Sequence, residues 1–376
     1  MYFLNGDRIY IKPQNGCASI DNQLLSCLEQ LHQINSGKRI FKLNFFADTS
    51  SGEAYTSLRF KLRKVVAEKF TTPVICTLIA QPPLTCRILV EAFYFDPELW
   101  KQEHIGSEHG SAMLFKRENA RVLIGNAQAD APSVCRENAE TTFETIDNLL
   151  NRTGLTFDSV IRQWNYIENI TGFDGDSQRY QEFNNVRAGF YAEHFNRNGF
   201  PAATGIGMNR GGIIVEFVAV DAPEAVSLPL NNPEQIAAHG YSDEVLVGKN
   251  AEVKATPKFE RARYLDLFGK KQVFVSGTAA IRGEKTVGIG NPEEQTEITI
   301  QNMQRLYSQE VLSSVTGNSL RPVYGHARVY VKHREDFAAI KKTFKRYYGN
   351  LPVVYIIADI CRDDLLVEIE GKVILK

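Results

Sequence analysis

Apolar residues recur along this chain at two periods, three-to-four residues and two, and the switches between the periods follow a repeated order. Near the C-terminal end a helix-period stretch, Asp336–Tyr348, leads to Pro352, a β-branched run from Val353 to Ile360, a Cys-Arg-Asp-Asp break, and a second run from Leu365 to Ile369. Two such runs around a short polar break predict neighbouring strands. The second run alternates, with Leu366, Glu368 and Glu370 on one face and Leu365, Val367 and Ile369 on the other. Glu368 therefore falls mid-strand among apolar neighbours. A carboxyl group there loses hydration, which raises its pKa toward the range a general acid needs. The other reading is a glutamate on the solvent face of an edge strand.

The same order occurs twice upstream. In the middle of the chain a strand, Arg121–Ala127, precedes a helix, Cys135–Thr153, with Ala139, Phe143, Ile146 and Leu150 at helical spacing and Gly154 as its stop. A strand Val160–Ile167 and a helix Tyr180–Phe195 follow. Pro201 then opens Ala202–Gly207, a Gly-rich break, and Ile213–Ala219 with Glu216 inside it. In the last third, the strands Gln272–Ile281 and Val323–Val331 alternate with the helices Pro292–Val311 and Asp336–Tyr348. The first third has a strand pair in Tyr2–Ile11, an amphipathic stretch Asp21–Ile34, a strand Arg39–Phe46 and a helix Tyr55–Phe70. Pro73, Val74–Ala80 and Arg87–Phe95, with Glu91 at its centre, complete it. Proline and glutamate stand 18, 15 and 16 residues apart in the three places, with the length differences confined to the break, as in duplicated units. The pattern predicts two full units and one partial unit lacking its opening half. The domains are then a 1–115 N-terminal region, a 116–225 unit, a 226–270 connector rich in proline and charge, and a 271–376 unit carrying Glu368.

Composition narrows the class. Hydrophobic content of 43% and charged content of 23% are those of an ordinary globular protein. A formal net charge of −1 offers no global field for nucleic acid or an anionic membrane. No apolar run is long enough to span a bilayer, and the first residues lack a signal-peptide apolar core, so the expectation is a cytoplasmic protein with neither a nucleic-acid nor a membrane partner. The six cysteines show no CxxC pair and the seven histidines no ligand spacing, so no disulfide framework, metal or other cofactor is expected. Gly205-Ile-Gly207 lacks the context of a phosphate loop.

A unit of strand, helix, strand, helix and strand pair ending in Val-Glu-Ile-Glu resembles the YjgF/RidA family, whose members are trimers with ligand clefts between subunits. Two full copies and a partial one in a single chain resemble the chorismatases. The similarity rests on Leu-Ile-Gly-Asn-Ala-Gln-Ala, Arg179-Tyr180-Gln-Glu-Phe183-Asn184-Asn-Val-Arg187, Phe-Pro-Ala-Ala-Thr-Gly-Ile-Gly, Ser276-Gly277-Thr278-Ala279 and Cys361-Arg-Asp-Asp-Leu-Leu-Val-Glu368. It covers about residues 115–376 well and the first hundred poorly. It implies an α+β fold of tandem RidA/YjgF-like (chorismate-mutase-like) units, with mixed sheets and packed helices in a monomeric, trimer-like body. It also implies a cofactor-free activity that cleaves the enolpyruvyl ether of chorismate to 3-hydroxybenzoate and pyruvate. Alternatives are hydrolysis to a dihydroxycyclohexadiene, mixed 3- and 4-hydroxybenzoate output, and a non-catalytic binder of small acids. The enamine deaminases of the RidA family carry an arginine where this chain has Val353–Ile357, and its absence disfavours that activity.

The resemblance makes Glu368 the acid that protonates the methylene carbon of the enol ether. Chorismate's two carboxylates call for arginines, which grip a carboxylate bidentately. Arg179 and Arg187 flank Tyr180 and Phe183, with Tyr180 and Arg187 two helical turns apart. Either arginine could instead be solvated and paired with Glu182 or Glu193. Arg328 and Tyr330 share a strand face and form either a cleft wall or a sheet-surface pair. The resemblance further implies that Gly277, beside Thr278, and Cys361 steer the product. A small residue at 277 lets the ring hydroxyl attack internally and a thiol relays a proton. Alternatively Gly277 is a β-bulge glycine and Cys361 a packing residue. Cys361 and Glu368 face one cleft if the two closing runs form a hairpin.

Overall fold

The computed structural model describes residues 2–6, 8–33, 37–49, 51–131, 134–195, 198–247 and 254–376. Ile34, expected in the first helix, and positions 248–253 of the expected connector lie outside them. Among the described residues, three large sheets are built on one plan. In each, an opening strand pairs with the closing, glutamate-bearing strand. The closing strand pairs with the second strand, and the second runs parallel to the third. The N-terminal sheet is Arg8–Ile11, Ile88–Phe95, Arg39–Ala47 and Ile75–Ile79 in that order. The middle sheet has Ala120–Ala129, Ile213–Asp221, Val160–Glu168 and Ala202–Met208. The C-terminal sheet has Lys270–Thr278, Val367–Leu375, Pro322–Val331 and Val353–Ile357.

The first unit is therefore complete rather than partial. Its opening strand is only four residues long and is followed at once by the helix Ile20–Gln33, so alternation had little length in which to show. Tyr2–Leu4 is a short 3-10 turn, not a strand. The other two units each carry two further edge strands, Lys101–Gly106 with Gly110–Arg117, and Val226–Leu230 with Ala262–Leu267. The expected division at 115/116 thus runs through a strand of the middle sheet, and both ends of the expected connector are strands of the C-terminal one. The expected helix Pro292–Val311 is two, Pro292–Leu306 and Gln309–Thr316. Ser308 ends the first by capping the second, its side chain accepting from the Val311 amide. The two closing runs are not a hairpin, because Pro322–Val331 lies between Val353–Ile357 and Val367–Leu375.

Helices cover one face of each sheet. Phe143, Ile146 and Leu150 of Cys135–Asn151 pack with Phe183 and Val186 of Arg179–Tyr191 over the middle sheet, and similar layers cover the other two. The uncovered faces of the three sheets meet in a common core that includes Phe46, Leu89 and Phe93 from the first unit, Trp164 and Val218 from the second, and Tyr330 and Val354 from the third.

Into this core the strands also project charges. Lys42 of the first unit binds Glu216 of the second at 2.9 Å, Arg328 of the third binds Glu91 of the first, and Arg162 of the second binds Glu370 of the third. Removing one partner of a buried pair strands the other charge in a low-dielectric interior, at a cost of about 3–5 kcal/mol. Lys42→Met is accordingly expected to lower unfolding stability by that amount in chemical denaturation. Lys42→Met with Glu216→Leu should recover much of it.

Candidate active site

A cleft of about 740 Å³ lies between the middle and C-terminal units. Tyr180 and Asn184 from the first turns of Arg179–Tyr191, with Ala203 and Gly205 from the adjoining strand, make one wall. Gly277 and Glu368 make the other, and Cys361 and Arg362 come from the loop before the closing strand. Tyr241, Leu246, Phe259 and Arg261, from the segment that joins Val226–Leu230 to Ala262–Leu267, also line it.

The Cys361 loop reaches the cleft although no hairpin places it there. Ile360 bridges Ile206 of the middle sheet, and the Gly207 amide donates to the Asp359 carbonyl at 2.8 Å. A Cβ on Gly207 would stand 2.8 Å from Asp359, and one on Gly205 would stand 3.0 Å from the Tyr180 ring, so both glycines serve close approach rather than phosphate binding.

Glu368 is 4% exposed and opens onto the cleft. Burial, and then the neighbouring Glu370 carboxylate, push its pKa from 4.5 up to about 8, against the weaker pull of Arg162 and Arg261. That shift favours the neutral carboxylic acid at pH 7. Glu370 behaves oppositely: burial disfavours its charge, but Arg328 and Arg162 overcome that and hold it below the ordinary carboxylate range. Among the described residues Glu368 makes no ion pair, whereas Glu370 has two.

Gly277 bears directly on Glu368. It sits in a bulge where pairing between the opening and closing strands shifts, and its amide donates to Thr204 Oγ1 at 3.0 Å. A Cβ built on Gly277 would fall 1.9 Å from Glu368 Oε1, so the carboxyl occupies the space a side chain would fill. Being a bulge glycine and being a site residue are here the same property. Cys361 is half-buried beside Glu368, and desolvation followed by the Glu368 charge raises its thiol to about 12, so it remains an S–H group.

Of the residues expected from sequence, Glu368, Cys361, Tyr180 and Gly277 line the cleft. The others lie elsewhere. Arg328 and Tyr330 share a face as expected, but that face is turned into the common core, where Arg328 is fully buried on Glu91, Glu370 and the Tyr166 hydroxyl. Tyr330 donates to Glu370 at 3.3 Å. Arg187 is buried behind the wall, bonded to Asn184 Oδ1 at 2.6 Å rather than to Glu182 or Glu193. Arg179 pairs with Asp174 and donates to the Glu168 carbonyl, away from the cleft. Phe183 is core, and Thr278 is buried with its hydroxyl on the Ser276 carbonyl.

Two further arginines line the cleft, neither marked by its spacing in the sequence. Arg261 is 4% exposed, its guanidinium lies 5.5 Å from the Tyr241 ring and 5.7 Å from the Phe259 ring, and its Nε is buried without a partner. Arg362 donates to the Glu284 carbonyl at 2.7 Å and lies 5.4 Å from the same Tyr241 ring. Arg362 stood in the break already singled out. Arg261 sat in the stretch taken for a connector, with only the alternation Arg261-Ala-Arg263 before an apolar run to mark it as strand-proximal.

Fold and cleft together define an α+β protein of tandem units with a small-molecule site between two of them. The family model "Chorismatase FkbO/Hyg5-like, N-terminal" matches residues 98–219. A 3-hydroxybenzoate synthase of Streptomyces hygroscopicus is 33% identical over 248 residues, spanning 63% of this chain and 69% of that one. A chorismatase of Streptomyces rapamycinicus is 34% identical over 229 residues, spanning 58% and 65%. A crystal structure of a chorismatase superposes over 98% of both chains with a TM-score of 0.74 at 23% identity, which speaks for the fold. The chain belongs to the chorismatase family and is an enzyme of that type.

Proposed function

We propose that the chain converts chorismate to 3-hydroxybenzoate and pyruvate in this cleft, with Glu368 as general acid. The observation that carries the reading is a buried carboxyl, raised toward the neutral acid and with no ion pair among the described residues, open to a cleft that also presents two arginines. Glu368 gives its proton to the methylene carbon of the enolpyruvyl group, creating an oxocarbenium ion. The bond between the ether oxygen and the ring then breaks, its electron pair goes to the oxygen, and the pyruvate carbonyl is complete. The neighbouring ring hydroxyl attacks the vacated ring carbon from within and gives up its proton to the Glu368 carboxylate, so that its oxygen bridges both carbons as an epoxide. The bond from that oxygen to the carbon that first carried it then breaks, the oxygen takes up a proton, and loss of the hydrogen on the attacked carbon gives the aromatic product. No water enters, and the atoms of chorismate equal those of the two products. Cys361, as a thiol, can pass a proton between the ring hydroxyl and Glu368.

Arg261 and Arg362 take the carboxylate-gripping role expected of Arg179 and Arg187, while Arg187 holds Asn184 behind Tyr180. Replacing Arg261 with Leu removes one charged grip and should raise KM at least tenfold (about 1.4 kcal/mol) with a smaller change in kcat. A coupled assay for pyruvate reads both constants, and an unchanged KM removes Arg261 from the binding role. Both walls come from one chain, which suits a monomer with trimer-like internal arrangement. Six free cysteines suit the reducing cytoplasm. Chromatography of the products tests the assignment: a dihydroxycyclohexadiene as the sole product would replace the internal attack with hydrolysis.

A further inference from the structure

The three closing strands invite a residue-by-residue comparison. Their glutamates occupy one register: Glu91 stands opposite Asn44, Glu216 opposite Trp164 and Glu368 opposite Tyr330. Each of these partners lies two residues beyond a buried cation on the same strand, namely Lys42, Arg162 and Arg328. The cations pair cyclically, each with the next unit's closing strand. Lys42 takes Glu216, and Arg328 takes Glu91. The same rule assigns Arg162 to Glu368.

It goes to Glu370 instead. The position two residues past the glutamate is Phe93 in the first unit and Val218 in the second, opposite Lys42 and Arg162 respectively. In the third unit it is Glu370, opposite Arg328. This extra carboxylate accepts from Arg162 Nη2, from Thr204 Oγ1 at 2.5 Å and from Arg328 Nη1 at 3.0 Å. Among the described residues Arg162 Nη1 is buried without a hydrogen-bond partner, and the guanidinium donates to Glu370 and Thr204 and lies 4.5 Å from the Trp164 ring.

We propose that Glu370 is a positioning residue that captures Arg162 and so leaves Glu368, alone of the three equivalent glutamates, without an ion-pair partner among the described residues. One added carboxylate, two residues from the acid, converts a structural ion-pair position into a proton donor. The inference rests on Glu368 being the general acid. The charged and titratable groups that act on Glu368 are Glu370 on its own strand, Arg162 from the middle sheet, Arg261 from the segment before Ala262–Leu267, Tyr330 from the neighbouring strand, Tyr180 from the helix and Cys361 from the loop. Of these, Arg162 is the cation whose ion-pair partner is lost when Glu370 is neutralised; Tyr330, which also donates to Glu370, carries no charge.

The test measures the pH dependence of pyruvate release together with the infrared carboxyl band of Glu368. It uses wild type, Glu370→Gln and the double variant Arg162→Gln/Glu370→Gln. An opposite charge brought into contact lowers a carboxyl pKa by about 1–3 pH units. Glu370→Gln should therefore move both the basic limb of the rate profile and the loss of the protonated band down by at least about one pH unit. The double variant removes the freed cation and should return both toward the wild-type position. If the single variant does not fold, the double variant, which removes one charge of each sign, decides alone. An unmoved limb and band in a folded Glu370→Gln, or a double variant still shifted as far as expected for the single one, overturns the proposal. Failure of the general-acid reading looks different: the infrared band moves as described while the rate profile does not follow it.

Discussion

Glu368→Gln should lower pyruvate release from chorismate by about a thousandfold, within the range a positioned general acid contributes, and leave the fold intact. A glutamine fills the same volume and keeps the hydrogen-bonding shape but has no proton to give. The variant also has a signature in stability. In the folded enzyme the Glu368 carboxyl is raised from 4.5 to about 8, so between those pH values the folded chain holds a proton that the unfolded chain has released. Stability of the wild type falls across that window and is flat with respect to this group above it. At roughly 1.4 kcal/mol per pH unit the loss is on the order of 5 kcal/mol, and the glutamine variant escapes it. Denaturation curves at pH 5 and pH 8.5 should show Glu368→Gln gaining on the wild type at the higher pH. A variant that is inactive and also less stable at pH 8.5 would mean that Glu368 is a structural carboxylate.

Gly277→Ala is the second large effect. Its methyl carbon would be built 1.9 Å from Glu368 Oε1, so the carboxyl must rotate away, and the nearby Thr204 methyl at 3.1 Å limits where the new side chain can go. A misplacement of about 1 Å at a reacting group costs on the order of a hundredfold in rate. The loss is expected in kcat, because Arg261 and Arg362 are untouched and substrate binding should be preserved. The surviving turnover should contain more dihydroxycyclohexadiene, since a displaced acid and a retilted ring favour water as nucleophile. Wild-type kcat with 3-hydroxybenzoate as the only product would show that the carboxyl shown against Gly277 is not where it acts.

The buried carboxyl of Glu368 was legible in sequence, and its neighbourhood largely was not. Glu368 announced itself because a strand's period of two fixes which residues share its face, and the apolar neighbours fixed its burial. The same rule placed Arg328 and Tyr330 together, yet could not say whether their face met the cleft or the common core, which depends on how three sheets pack. Tyr180 and Arg187 fell on one helix, but only the first reaches the opening, because Arg187 turns back onto Asn184. Arg261 was lost for a different reason. It stands where a segment without regular period joins a strand, and such a segment displays its function only once folded against the cleft. In the fold, helices and strands with long periodic runs emerged within a few residues of their expected ends. The four-residue opening strand of the first unit and the separation of the two closing runs by Pro322–Val331 did not, since pairing between distant strands leaves no mark on local pattern.

Isotope-edited infrared titration of the carboxyl groups, wild type against Glu368→Gln, tests the central claim most directly. A protonated carboxyl band present in the wild type at pH 7, lost around pH 8 and missing from the variant at every pH is the expected result. A wild-type spectrum in which Glu368 is already ionised at pH 6 would contradict it.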